Sequence, residues 1–159
     1  MTATPTTPGL QTTSETTFEK AFPLLRRGNI GPDVQVVQER LNHLGFDTIV
    51  DGIFEAVTEE SVKQFQRQRR LTIDGIVGPL TWKALIPPTL QRGSAGPDVE
   101  YLQMMLRAIG YTLSADGIFG ARTQWGVEKF QTDRGLTVDG IVGPLTWKSL
   151  LSNSAALDK

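Results

Sequence analysis

Apolar residues recur at helical spacing in two stretches of the chain, and the same signals frame both stretches. The apolar positions of the first stretch are Val34, Val37, Leu41 and Leu44. Their steps of three and four residues place them on one helix face. Gly31-Pro32-Asp33 precedes this run, where proline suits a first helical turn and an early acid suits the positive end of the helix dipole. The run ends at Gly45, which favours a left-handed cap. The second stretch, from Gly96 to Gly110, repeats the pattern with Val99, Leu102, Leu106 and Ile109.

Four Asp-Gly turns, each followed by a predicted helix, account for most of the remaining pattern. They read D-G-I-(F/V)-x-x-x-T and end at Thr58, Thr81, Thr123 and Thr146. Asp-Gly is typical of a tight turn. Helices are predicted from about Thr58 to Gln68, with Val62 and Phe65 inward, and from about Thr123, with Val127 and Phe130 inward. The second turn of each half leads into a short helix, over 79–85 in the first half. Each half is therefore predicted to form three helices with two similar turn-to-helix corners.

The two halves are copies of one another. Residues 25–86 align without a gap with residues 90–151, and 33 of the 62 pairs are identical. The longest identical block, DGIVGPLTWK, lies at 74–83 and 139–148. The sequence thus predicts an all-α fold of two tandem compact three-helix modules. The predicted divisions are a disordered Thr/Pro-rich tail or linker over 1–23, module 1 over 24–86, a Pro-Pro linker over 87–89, module 2 over 90–151 and a frayed C-terminal tail over 152–159.

The composition of the chain limits which metal sites, cofactors and membrane contacts it can have. The 159 residues contain no cysteine and one histidine, His43, so thiolate metal sites are excluded and catalytic zinc lacks its usual ligands. No metal or other cofactor is predicted. No apolar run approaches the 18 or so residues of a membrane span, so no membrane partner is predicted. The start of the chain lacks the apolar core of a secretory signal. Prior removal of a leader, a longer parent protein and another export route all stay open.

The repeated motifs resemble the peptidoglycan-binding domain family, which accompanies many wall hydrolases. The matching pieces in the first half are G-x-x-G-x-D-V-x-x-(V/L)-Q from Gly28, L-x-x-x-G from Leu41, D-G-I-F from Asp51, Phe65-Gln66, and D-G-I-V-G-P-L-T-W from Asp74. The second half matches at Gly93, Leu106, Asp116, Phe130-Gln131 and Asp139. One departure is Glu55, where the second half has Gly120 and the family usually has glycine. The resemblance implies peptidoglycan (stem peptide or glycan) as ligand, a cell-wall or periplasmic address, and a separate wall hydrolase as a partner.

The candidate ligand-binding residues lie at the corners and beside them. They are Arg27, Asp51, Phe54, Thr58, Asp74, Thr81, Arg92, Asp116, Phe119, Thr123, Trp125, Asp139 and Thr146. Free backbone N–H groups at the helix starts could hold a peptide carboxylate, and the two arginines could pair with it. In the alternative interpretation, the aspartates bond their own backbone, the threonine hydroxyls satisfy helix-start N–H groups, and the arginines are solvated.

Three tryptophans allow two interpretations each. Trp82 and Trp147 either stack on sugar or anchor the core, since aromatic residues dominate small cores. Trp125 replaces Glu60 of the first half, so its position can be exposed. It either stacks on a glycan or fills the contact between the modules.

The sequence gives little support for catalysis or for nucleic-acid binding. A glycosidase needs two carboxylates flanking one bond, and no convincing pair stands out. The basic run over 63–70 loses most of its charge in the second half, and each half balances its charges, so no nucleic-acid partner is predicted. The sequence therefore predicts non-catalytic binding of wall peptidoglycan for targeting or tethering. The alternative is a structural or protein-interaction module that keeps the fold without binding wall.

Overall fold

A computed structural model describes Phe18 and residues 20–157, and over residues 32–157 the described chain forms six helices. Module 1 contains α1 (Pro32–His43), α2 (Ala56–Gln68) and α3 (Pro79–Leu85); module 2 contains α4 (Pro97–Ala108), α5 (Ala121–Asp133) and α6 (Pro144–Leu157). Across these described residues, β-structure is limited to isolated antiparallel bridges, which pair Leu25 with Val77, Ile30 with Ile53, Leu90 with Val142 and Ala95 with Ile118. The prediction of an all-α fold with two tandem three-helix modules is confirmed.

Large aromatic side chains fill the centre of each module. Phe54, Phe65 and Trp82 are fully buried in module 1, as are Phe119, Phe130 and Trp147 in module 2. A buried indole N–H needs an acceptor. Trp82 donates to the carbonyl oxygen of Pro23 at 2.7 Å, and Trp147 donates to that of Pro88 at 2.9 Å. Both tryptophans are therefore core anchors, and each fastens the chain segment that enters its module.

The N-terminal boundary of module 1 lies earlier than predicted. Phe22 is only 2% exposed, and its ring meets Trp82 edge-on at 5.0 Å between centroids. The prediction of a disordered tail through residue 23 is wrong for residues 20–23, because Phe22 buries apolar surface on the module. Residues 1–17 and 19 of that predicted tail lie outside the described residues.

The C-terminal end also differs from the prediction. Helix α6 continues to Leu157, so the frayed tail predicted from residue 152 is wrong over 152–157. The segment Ser-Asn-Ser-Ala-Ala-Leu contains neither glycine nor proline to stop a helix. Module 1 has such a stop, because Pro87 disfavours the helical conformation at Ile86, whose ψ is 136°.

The modules pack against each other through α1 and α6, and one continuous apolar core runs through both. Lys148 of α6 pairs with Asp33 of α1 at 2.8 Å. The buried Arg40 of α1 donates from Nε to the Leu85 carbonyl oxygen at 2.6 Å, and its guanidinium lies 5.5 Å from the Tyr101 ring centre of module 2. The two modules therefore hold one fixed orientation.

His43 lies at the edge of this contact. Its ring stacks on Tyr101 at 3.8 Å between centroids. Burial, together with the nearby charge of Arg40, keeps the pKa of His43 below its ordinary value. The imidazole is therefore favoured in its neutral form.

Candidate functional site

Each corner is built around a buried glutamine that organises the Asp-Gly turn. In the first corner of module 1, the side-chain oxygen of Gln38 accepts from the backbone N–H groups of Asp51 and Gly52, at 3.0 and 2.8 Å. Its Nε2 lies within 3.1 Å of three acceptors: Asp51 Oδ1, the Ile53 carbonyl oxygen and Thr58 Oγ1. One amide thus ties the turn, its carboxylate and the following helix together.

The same network occurs four times. Gln66 joins Asp74, Gly75, Ile76 and Thr81, and Gln131 joins Asp139, Gly140, Ile141 and Thr146. Gln103 joins Asp116, Gly117, Ile118 and Thr123. All four glutamines are at most 1% exposed. Because buried polar groups are costly when unsatisfied, each glutamine fixes its corner in one conformation.

The two carboxylate oxygens of each predicted aspartate have different surroundings. Each lies at the surface, yet its Oδ1 also accepts from the isoleucine N–H two residues later, at 2.9 to 3.0 Å. The N–H of Ile118, with the amide of Gln103, lowers the pKa of Asp116. One carboxylate oxygen of each aspartate is thus committed to the turn, and the other borders the outer surface of the corner.

The predicted threonines do not cap the helices. The helix-start residues Glu55, Gly78 and Gly120 have no side-chain cap, and Thr58, Thr81 and Thr123 come three positions later. The hydroxyls turn inward to the glutamines instead, as that of Thr146 also does, and all four threonines are buried. The expectation that they satisfy helix-start N–H groups is wrong, and α2 and α5 begin two residues earlier than predicted.

The predicted phenylalanines belong to the interior. Phe54 and Phe119 are at most 1% exposed, so their side chains contact the core. Their backbones join the loop before α1 or α4, where Gly28 N–H donates to the Phe54 carbonyl oxygen at 2.9 Å and Gly93 N–H donates to that of Phe119 at 3.0 Å. These residues position the corner from beneath.

A shallow pocket lies at the outer surface of every corner. The second-corner pockets have volumes of about 350 Å³ in module 1 and about 260 Å³ in module 2; the first-corner pockets have about 110 and 210 Å³. Each is lined by the turn aspartate, the isoleucine and the first residues of the helix. The first amides of a helix precede its hydrogen-bond ladder, so each pocket combines backbone donors with a carboxylate edge.

The two predicted arginines have different partners. Arg27 pairs with the carboxylate of Glu59 at 3.3 Å, whereas Arg92 donates to the neutral amide of Gln124 at 3.1 Å. Both side chains lie at the surface. The charge of Arg27 is therefore partly balanced by its neighbour, while that of Arg92 faces an uncharged one.

Trp125 lies at the surface of module 2, with 39% of it exposed. The guanidinium of Arg122 lies 4.4 Å from its ring centre, and Arg122 Nε donates to the Thr112 carbonyl oxygen at 3.0 Å. The modules are joined through α1 and α6, whereas Trp125 lies on α5. The structure therefore places Trp125 away from the α1–α6 contact between the modules, and stacking on a glycan stays a prediction.

The glutamines are the residues that sequence reasoning missed as part of the corner. Each was visible as a polar residue identical in both halves and embedded in an apolar helix face, as in Val37-Gln38 and Phe65-Gln66. A polar residue kept at such a position indicates a buried hydrogen-bond network.

Within the described part of the chain, no group of histidine, aspartate and glutamate side chains is placed to hold a metal ion. Over the same residues, none of the helices has the length and apolar character needed to cross a bilayer.

The repeated corners match a known family. The sequence profile described as "Putative peptidoglycan binding domain" matches residues 30–85 and again residues 95–150. The chain belongs to this family. Each matched region therefore contains the helix α1 or α4, both corners of its module, and all or part of the last helix, α3 or α6.

Several known proteins contain similar modules. The N-acetylmuramoyl-L-alanine amidase CwlM of Mycobacterium tuberculosis is 37% identical over 110 residues, which is 62% of this chain and 27% of that amidase. A spore cortex-lytic enzyme of Bacillus cereus is 44% identical over 71 residues, which is 44% of this chain and 27% of that enzyme. Among solved structures, the SleB N-terminal domain is 40% identical with a TM-score of 0.39, and the match covers 43% of this chain and 93% of that domain. The chain spans about a fifth to a half of the length of most of the curated relatives it matches.

Proposed function

We propose that this protein binds bacterial cell-wall peptidoglycan through both modules and does so without catalysis, for targeting or tethering. The observation that carries the proposal is the double match to the peptidoglycan-binding family, one match for each module. The matched regions include all four glutamine-centred corners. The relatives named as amidases and cortex-lytic enzymes share these binding modules over a minor part of their own length.

The corners supply the chemistry that a wall peptide requires. A stem peptide carries several carboxylates, and helix-start amides are natural donors to carboxylate oxygens. Arg27 and Arg92 lie at the surface against Glu59 of α2 and Gln124 of α5, where a guanidinium adds a charge-assisted bond. The exposed edges of Asp51, Asp74, Asp116 and Asp139 suit the amino and amide groups of the same peptide. Phe54, Phe119 and the four threonines support these contacts from within.

Partner and location follow from the same proposal. A chain that binds wall acts in the cell wall or periplasm. A separate wall hydrolase is a suitable partner, because a non-catalytic binder would bring such an enzyme to its polymer. Neither nucleic acid nor membrane is proposed as a partner.

Two copies make weak individual contacts effective. A shallow pocket buries little area, and association entropy opposes binding. Two modules in fixed orientation can act together on a polymer that repeats its epitope, and avidity can rise by roughly 10²–10⁴ if the geometry fits. A soluble single muropeptide gains nothing from the second module.

The test is sedimentation of the full chain with purified insoluble peptidoglycan. We expect retention of the wild type, weaker retention after Arg27→Ala or Arg92→Ala, and a larger loss in the double variant. We also expect no release of soluble wall fragments during the incubation. Clean recovery in the supernatant would overturn wall binding and favour the structural or protein-interaction alternative. Equal binding by the wild type and a variant with one impaired module would show that only one module contributes.

A further inference from the structure

The outward face of the second helix differs between the modules more than any corner does. In module 1, Asp47, Val57 and Glu60 line an open groove of about 460 Å³ beside α2. The equivalent positions in module 2 are Thr112, Arg122 and Trp125, and Gln64 is replaced by Lys129. The face thus changes from two acids to two bases and gains an indole ring.

The groove floor changes together with its rim. In module 1, Ser61 Oγ donates to the Asp47 carbonyl oxygen at 2.5 Å. In module 2 the serine becomes Gly126, and the nearly buried Leu113 packs against it. A Cβ on Gly126 would lie 2.8 Å from Leu113 Cδ2, so any other residue here would force the leucine side chain to move. The module 2 surface beside Trp125 is therefore supported by an apolar floor.

Arg122 and Trp125 hold each other in place. Arg122 is fixed by its Nε bond to Thr112, and its guanidinium lies over the indole at 4.4 Å. Each side chain therefore restricts the motion of the other, so a ligand that binds this surface costs little additional side-chain entropy in the protein. The terminal nitrogens of Arg122 add hydrogen-bond donors on the side of the indole that the guanidinium covers.

We propose that Trp125 and Arg122 form a sugar-binding platform on module 2, and that its occupant is a ring of the wall glycan strand. The inference rests on the proposed wall binding and assigns a ligand class to a surface that module 1 lacks. A pyranose ring has a flat face of C–H groups and a rim of hydroxyl and acetamido groups. The indole face turned away from Arg122 matches the flat face of the sugar, and the guanidinium edge matches the oxygen atoms of the sugar rim.

A stem peptide fits this surface less well than a sugar. Its short side chains and carboxylates offer no flat apolar area to an indole, and its charges are better met by the helix-start amides of the corners. Arg122 also lines the first-corner pocket of module 2, together with Asp116 and Ile118. The platform therefore adjoins that pocket, so a glycan ring on Trp125 places its attached peptide towards the corner.

The experiment uses the full chain and the fluorescence of its tryptophans. Trp82 and Trp147 are fully buried, so collisional quenching by acrylamide reports mainly on Trp125. The probes are a peptide-free N-acetylglucosamine oligomer and a sugar-free stem peptide. We expect the oligomer to protect Trp125 from quenching and the stem peptide to leave it accessible.

Variants borrowed from module 1 keep the fold and remove the platform. Trp125→Glu and Arg122→Val install the residues found at Glu60 and Val57. We expect Trp125→Glu to weaken binding to insoluble wall roughly tenfold, which corresponds to the loss of one aromatic stacking contact. Trp125→Phe should retain part of the affinity. Met104→Ala, at an exposed apolar residue on α4, is the matched control and should bind like the wild type.

The outcomes separate this inference from the proposed function. Wall binding that Trp125→Glu leaves unchanged, with no protection by the oligomer, would overturn the platform while the proposed function stands. Protection by the stem peptide alone would also overturn it, in favour of a peptide ligand. Failure of the wild type to bind wall at all would overturn both.

Discussion

The two modules have closely similar interiors but different outer surfaces. Glutamine, aspartate and threonine recur with the same hydrogen bonds at every corner, and the same aromatic residues fill both cores. On the outward face of the second helix, by contrast, Glu60 is replaced by Trp125 and Val57 by Arg122. The corners therefore fix the backbone of each module, and this backbone leaves the residues on the outward helix face free to differ in chemistry.

Some differences between the modules occur as matched pairs. Thr48 and Ser61 of module 1 become Leu113 and Gly126 of module 2. Thr48 Oγ1 lies 3.1 Å from Thr58 Oγ1, a contact that leucine cannot make, and in module 2 the Thr123 hydroxyl lies 3.5 Å from the Ile118 carbonyl oxygen. The polar pair Thr48 and Ser61 is thus replaced by Leu113 and Gly126, and the helices α2 and α5 keep the same length.

The largest expected effect is a loss of stability when a corner glutamine is replaced, and it tests whether the interiors of the two modules are equivalent. Gln38→Leu and Gln103→Leu should each lower the free energy of unfolding by about 3 kcal/mol or more, because several buried turn groups lose their partner. Urea unfolding followed by circular dichroism measures the loss. The exposed Gln64→Ala is the control and should stay within about 0.5 kcal/mol of the wild type. A loss in one module only would break the equivalence of the two interiors.

The second prediction concerns the matched pair on α5. Gly126→Ser should destabilise the protein by about 1–3 kcal/mol, because its Cβ would meet Leu113 at 2.8 Å. Adding Leu113→Thr rebuilds the module 1 pair and should recover most of the loss, which thermal unfolding of the single and double variants measures. Simple additivity of the two substitutions would show that they are not coupled.

A smaller effect is expected where repeated lysines have different neighbours. Lys148 pairs with Asp33 across the module contact and donates to the carbonyl oxygen of Ala21, whereas Lys83 is exposed. Lys148→Met should cost about 1–2 kcal/mol of stability, and Lys83→Met should stay within about 0.5 kcal/mol of the wild type. Thermal unfolding at matched ionic strength measures both. Equal losses would mean that the Asp33 pair does not stabilise the contact.

The smallest effect concerns Tyr111, which module 1 replaces with Phe46. Burial, aided by a 2.6 Å hydrogen bond to Asp133, raises the pKa of Tyr111 to about 12. The neutral phenol is thus favoured in the folded state. Its contribution is fully present below the ordinary pKa of about 10 and is lost as the pH rises through about 12.

Tyr111→Phe should therefore change stability at neutral pH by less than about 1 kcal/mol. Between about pH 10 and 12, the wild type should lose stability relative to this variant. Phenolate absorbance and thermal unfolding across that range check both statements. A Tyr111 phenol that ionises at its ordinary pH would contradict the assigned role of burial.

The sequence predicted the fold because the repeat supplied every local signal twice. Helix α3 has the predicted bounds, since proline opens it and the Pro87-Pro88 pair closes it. The contact of α1 with module 2 could not be predicted, because two of its residues have no counterpart in the repeat: Arg40 corresponds to Met105, and His43 to Ala108.

The candidate site was predicted less completely than the fold. The turn motif located the corners, but the motif alone does not show that the threonine hydroxyls turn inward to a glutamine. Arg27 and Arg92 occupy equivalent positions of the repeat. Their hydrogen-bond partners differ because α2 places Glu59 beside Arg27, whereas α5 places Gln124 beside Arg92. Side-chain direction and long-range neighbours were thus the missing information.

The hydrogen bond between Trp82 and Pro23 has a mechanical consequence. The chain enters module 1 beside the place where it leaves, because Pro23 meets Trp82 of α3 and Leu25 pairs with Val77. Tension applied between residues 23 and 86 therefore peels these few bonds one after another instead of loading them in parallel. A molecule anchored to a wall that swells and shrinks would therefore yield first where the entry segment meets Val77 and Trp82, before the buried glutamines lose their hydrogen bonds.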